Sequence, residues 1–206
     1  SLVDNFLNVD GTPVDPTDEK YKDFNEVFKD RDGRLLAMVM HTGCKFKSNS
    51  LMNVRVYNET GTEAEQKEKN KDISSPRLNG DGIYKNVTGF HTRLGIDTTY
   101  VTGNCETAHV MFRYAEGLLC YAEAAAELGQ YNDNVAEKTL KPLRQRAGVV
   151  YVTPVADPHF PFQGLPPAVQ EVRRERRSEL SLQGFRLDDL MRWRVAGTLK
   201  GVEGRG

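Results

Sequence analysis

Residues 113 to 128 read RYAEGLLCYAEAAAEL, and this run limits what the chain can fold into more than any other stretch. On a 3.6-residue period Met111, Ala115, Leu118 and Ala122 fall on one side with Tyr114, Leu119 and Ala125 beside them, a stripe wide enough to face a core. Arg113, Glu116, Glu123 and Glu127 fall on the other side and are expected in solvent. Gly117 and the alanines at 122, 124, 125 and 126 leave little side-chain bulk, so a neighbouring backbone is expected to pack closely. Gly129 supplies the stop. Asn132 to Asn134 then offer an N-cap, and Val135, Leu140, Leu143 and Ala147 keep a helical spacing to Gly148. The product is a helical hairpin over residues 111 to 148.

A second strong element is PAVQEVRRERRSELSLQGFRLDDLMRWR, with Val169, Val172, Leu180, Leu187, Leu190 and Met191 on its apolar side. The arginines at 173, 174, 176 and 177 have the look of a basic patch. They are interleaved with Glu171, Glu175 and Glu179, which places Glu171 near Arg174 and Arg176 near Glu179 and predicts a salt-bridged helix face. Charge balance over the whole chain agrees: 28 basic against 29 acidic residues leave a formal net charge of -1, which argues against a polyanionic partner such as nucleic acid.

The rest is uneven. Helix signals gather at residues 18 to 30, LLAMVM (35 to 40) and SLMNVRVY (50 to 57) read as strands, and ETGTEAEQKEKNKD (59 to 72) reads as an exposed, mobile loop. From Pro76 to Gly103 the density of Gly, Asn, Asp and Thr predicts long loops with short strands, the kind of segment that carries binding. The expected class is therefore mainly α, a helical-hairpin scaffold with long irregular loops and a few short strands. It divides into a loop-rich part (1 to 110), the hairpin (111 to 148), and a loop with the charged helix (149 to 206). LLAMVM is far short of the roughly 20 apolar residues that cross a bilayer. Cys44, Cys105 and Cys120 match no metal or redox spacing and read as buried thiols. The opening SLVDNFLNVDGTPVDPTDEKY and the glycine-rich tail both read as chain in mid-context, so a longer parent is expected at both ends.

No catalytic constellation emerges. His41, His91, His109 and His159 show no HExxH-like spacing, and neither a nucleophile elbow nor a glycine-rich phosphate loop is present. Asp30-Arg31-Asp32 suits an ion-pair network with Arg34 better than a metal, so no metal and no cofactor are assigned.

Taken together, RYAEGLLCYAEAAAEL, LKPLRQRAG and ERRSELSLQGFRLDDLMRW closely resemble the C-terminal half of the SusD/RagB family of outer-membrane nutrient-binding lipoproteins. FKDRDGRLLAMVMHTG and VTGFHTRLGID resemble upstream segments of that family, in the same order. Lys141, Pro142 and Gln183 depart from the family's pattern, Pro142 in a helix that would lose a hydrogen bond. The resemblance implies a tetratricopeptide-like hairpin that stacks on further units. It also implies a cell-surface protein, lipid-anchored in its full-length form, that binds an oligosaccharide or polysaccharide and hands it to a SusC-like TonB-dependent transporter, without catalysis. Sugar recognition needs flat aromatic faces and planar polar groups. The loops offer Tyr21, Tyr57, Tyr84 and Tyr100 with Asn53, Asn79, Asp81 and Asn86, whereas Phe90 and Trp193 suit a core. The alternatives are a helical-repeat scaffold binding a peptide and, third, a glycoside hydrolase built on paired carboxylates.

Overall fold

A computed structural model describes residues 1–45, 50–74, 77–78, 88–95, 110–162 and 164–195, and these are the described residues throughout. They are mainly helical: α1 is Gly33–Met38, α2 Glu63–Lys69, α3 Tyr114–Glu127, α4 Asp133–Lys138, α5 Leu140–Ala147, α6 Pro167–Glu179 and α7 Phe185–Arg192. The chain divides into two compact units, one made of Ser1–Lys22, Lys29–Leu35 and Val110–Thr198, the other of Asp23–Phe28, Leu36–His109 and Leu199–Gly206.

In the first unit α3 packs chiefly on α6, with α4 and α5 folding back against α3. Ala115, Leu119, Ala122 and Ala126 meet Leu140, Leu143, Val169, Val172 and Leu180 in one core, where Leu119, Ala122, Leu140 and Val172 are fully excluded from solvent. The small residues at 122 and 126 thus serve the close approach expected of them. The stripe is rotated from its expected position, however. Met111 and Tyr114 are 74% and 83% exposed, and Glu123, expected in solvent, is only 7% exposed. Gly117 has open space where a side chain would stand.

Helix ends follow their local chemistry. Gly129 (φ +68°) ends α3 while Gln130 N–H donates to Ala125 C=O, and Asn132 Oδ1 caps α4 by accepting from the N–H groups of Asn134 and Val135. The second helix of the hairpin is not continuous, because Thr139 (φ -127°, ψ -84°) breaks it into α4 and α5. The break places Pro142 third in α5, in the turn whose N–H groups lack intrahelical acceptors anyway, so the missing donor costs nothing there. Gly148 (φ +74°) closes α5.

In the second unit Met40, Cys44, Met52 and Val54 form a small core with Phe24 and Leu78 packed against it. Phe28 meets Phe24 and Phe90 edge to face, with centroids 5.0 and 6.3 Å apart, while Phe24 stacks on Phe90 at 5.9 Å and His41 lies tilted against Phe28 at 5.3 Å.

Several local readings are corrected. Most of LLAMVM lies in α1, since a short apolar run suits a buried helix as well as a strand. Leu51 and Val56 of SLMNVRVY form isolated bridges, and no strand of more than a bridge occurs among the described residues. Residues 18 to 30 hold only the 3₁₀ turns Glu19–Lys22 and Glu26–Phe28. The exposed segment 59 to 72 contains α2, started by a capping box in which Thr62 accepts from Glu65 N–H and Glu65 accepts from Thr62 N–H. Leu187 and Met191 of α7 are exposed while Leu190 is buried. Cys44 is buried as expected, but Cys120 is exposed.

Candidate functional site

The charged helix α6 is buried nearly all round, and most of its charges are paired with residues of other elements of the first unit. Glu175, 1% exposed, accepts from Arg34 Nη1 at 2.5 Å and from Arg144 Nε at 2.9 Å. Arg144, with no exposed surface, also pairs with Glu171. Glu179 accepts from Arg34 at 2.9 Å, from Arg146 at 2.6 Å and from Arg113. Arg34 is held in turn by Asp32 at 2.7 Å, and Arg174 by Asp157 at 2.6 Å. Of the two local pairs expected, Glu171–Arg174 forms at 3.2 Å, whereas Arg176 turns to Asp189 at 2.8 Å.

Electrostatics follow from this packing. Burial alone would raise the Glu175 carboxyl, but the guanidinium groups of Arg34 and Arg144 outweigh it and hold the group down to about 2. Glu123 behaves alike. Its burial is overcome by Arg192, which donates at 2.5 and 2.6 Å, and by Trp193 Nε1 at 2.6 Å. Trp193 is half-buried, its ring covered by Arg173 at 4.5 Å. A carboxylate held ionised in this way is a poor proton donor at neutral pH, so the Glu175 site is structural in its chemistry.

Arg31 and Asp32 of the Asp30-Arg31-Asp32 run are likewise internal. Asp32 binds Arg34, Arg31 Nη2 donates to the carbonyls of Val3 and Phe6, and Asp30 adopts φ +52° at the surface. Among the described residues no three His, Cys, Asp or Glu side chains are grouped to hold a metal ion.

The sequence-nominated sugar contacts fall in three places. Tyr21, in the first unit, is half-buried with the Arg31 guanidinium 5.7 Å from its ring centre. Tyr57 and Asn53 belong to the second. The Tyr57 ring lies 4.1 Å from the Arg77 guanidinium, its N–H donates to Leu78 C=O, and Asn53 C=O accepts from Ser74 N–H. A guanidinium at this distance makes a cation–π contact with the ring. Asn79, Asp81, Tyr84, Asn86 and Tyr100 lie outside the described residues. Sequence reasoning placed Asp32 with Arg34 and Glu171 with Arg174 but missed the long-range part of the polar network, which joins residues as far apart as Arg34 and Glu179. Its one sequence signal was the number of arginines on a helix that also carries glutamates at every turn.

The sequence matches the SusD family over residues 1–203. The chain belongs to that family. Its fold is shared with a SusD-like carbohydrate binding protein from Bacteroides fragilis, 29% identical, with a TM-score of 0.65 over 96% of this chain and 35% of the other. A SusD-like protein of the same organism, 24% identical, gives a TM-score of 0.65 over 94% of this chain and 35% of its own. The chain therefore spans about a third of the length of these SusD-like structures. A comparison with curated protein sequences returned no match.

Where this SusD-family chain departs from the family's pattern, the substitutions are accommodated locally. Lys141 pairs with Glu137 at 2.5 Å one turn earlier, and Pro142 sits in the first turn of α5. Gln183 accepts from Arg113 at 3.0 Å, as a carboxylate there could, and its amide also donates to Glu179 C=O at 3.1 Å.

Proposed function

We propose that this chain is part of a cell-surface glycan-binding protein that passes oligosaccharides to a TonB-dependent outer-membrane transporter. The observation that carries the proposal is membership of the SusD family over nearly the whole chain, together with a fold shared with a SusD-like carbohydrate binding protein. The arrangement of the first unit is consistent with it. Its buried carboxylates are committed to arginines, which builds a rigid support and leaves recognition to loops. The proposed sugar contacts are Tyr57 and Asn53, Tyr84 and Tyr100 with Asn79, Asp81 and Asn86, and, apart from these, Tyr21. The full-length protein carries the lipid anchor in this reading, and the transporter is SusC-like.

Affinity electrophoresis of the full-length protein through gels containing plant, host or microbial polysaccharides tests the proposal. Retardation by at least one polysaccharide is expected. A folded protein retarded by none would favour a scaffold that binds protein partners.

A further inference from the structure

The first unit contains a cavity of about 280 Å³ between the C-terminal end of α6 and the start of α7. Its apolar floor includes Leu2, Leu180 and Phe185, and Arg177 and Arg186 line it together. Among the described residues neither arginine has an ion-pair or hydrogen-bond partner for its guanidinium, in contrast to Arg34, Arg144, Arg174 and Arg176 close by. The carboxylate that also lines the cavity, Asp189, is already engaged by Arg176 and by Arg192, each at 2.8 Å. Asp4 exerts a weaker attraction on Arg177 and is itself bound to the Ser1 amine at 2.7 Å.

Two like charges therefore share a partly desolvated space. Burial, and then the positive charge of Arg186, push the Arg177 guanidinium down to about 10, and burial lowers Arg186 as well. Arg186 is braced by rings, with Trp193 at 5.7 Å and Phe162 at 5.9 Å from its guanidinium carbon. Stacking uses the faces of the guanidinium and leaves its in-plane N–H groups for an acceptor. Gly184, with φ +91°, starts α7 at the cavity wall, and no side chain caps that helix. Its first N–H groups and the positive end of its dipole thus add to the field of the arginines.

We propose that this cavity is a binding site for an oxyanion carried by a sugar, a uronate carboxylate or a sulfate ester, held by the forks of Arg177 and Arg186 with the ring against the apolar floor. The oxyanion follows from the cavity itself, and its attachment to a sugar rests on the glycan-binding reading. The volume accommodates one monosaccharide unit.

Calorimetric titration of the protein at low ionic strength with sodium glucuronate, glucose and sodium sulfate tests the assignment. Glucuronate is expected to bind saturably and glucose not, with Arg177→Gln and Arg186→Gln each weakening glucuronate at least tenfold. Leu182→Glu, which brings a carboxylate to the cavity lining from an exposed position, should abolish binding and raise the melting temperature by relieving the arginine pair. This variant keeps the test decisive if an arginine variant fails to fold. Glucuronate binding unaffected by Leu182→Glu, or no binding of either anion, would overturn the site. Arginine-dependent sulfate binding without glucuronate binding would exclude the uronate, and failure of glucose 6-sulfate to bind as well would then overturn the sugar as its source. Retention by neutral polysaccharides in either case would leave the glycan-binding proposal standing, so the two readings fail separately.

Discussion

Replacing Glu175 with Gln removes one negative charge from between two buried guanidinium groups and keeps the volume unchanged. At an effective dielectric constant of about 20, each charge pair separated by about 4 Å is worth roughly 4 kcal/mol, and desolvation cancels several kcal/mol of the total. The net appears in the carboxyl itself, held at about 2 against an ordinary 4.5. A difference of this size corresponds to about 3 kcal/mol of stability at neutral pH. Glu175→Gln is therefore expected to lower the unfolding free energy by about 3–5 kcal/mol, the range for breaking one side of a buried pair. Because the folded-state value is depressed, the contribution is fully present above the unfolded-state value of 4.5. It fades as pH falls from there through about 2. Urea unfolding of parent and variant should be compared at pH 7 and at successive steps down to pH 2.5. The gap should be widest at pH 7 and should narrow below pH 4.5. A gap under about 1 kcal/mol at pH 7, or one that widens as pH falls, would refute the argument that Glu175 is a net stabilising partner of Arg34 and Arg144.

Ala122→Leu forces extra carbons into a fully buried contact, so a melting experiment should show a loss of about 1–3 kcal/mol, and coincident melts would show that the face is not packed. Gly117→Ala should stabilise this chain by about 0.5–1 kcal/mol through helix propensity, since its new methyl meets nothing within 4 Å. By contrast, Gly33→Ala should destabilise it, because a Cβ there would stand 2.8 Å from Ala147 C=O, and thermal denaturation of the two variants checks the opposite signs. Tyr84→Ala and Tyr100→Ala in the full-length protein should each weaken glycan binding by about 1–3 kcal/mol with little change in melting temperature. Lost stability with unchanged affinity would assign those rings to packing.

Sequence alone determined the features whose causes are local. The hairpin of residues 113 to 148 was legible because apolar period, an asparagine cap and two stop glycines all act within a few residues, and the structure keeps them as α3, α4 and α5. The charge balance of α6 was legible for the same reason. Local signals could still be misread: Thr62 and Glu65 stand in capping-box spacing, yet the polarity of their segment pointed to a loop. LLAMVM carries no periodicity long enough to separate helix from strand. For the nominated sugar contacts, sequence supplied residue types only. That Tyr57 has Arg77 near its ring, and Tyr21 has Arg31, are contacts that no helical or strand period connects. Tertiary structure also decided the rotation of α3, because α6 packs on the alanine side and turns Glu123 inward while leaving Tyr114 out. It decided as well which arginines are paired. Arg34 finds Glu175 from 141 positions away, whereas Arg177, next to Arg176 on the same helix, lines a cavity whose carboxylate, Asp189, is already paired with Arg176 and Arg192. Helical spacing fixes which residues share a face, but the partner of a buried charge is set by whichever element packs there, and no local pattern encodes that.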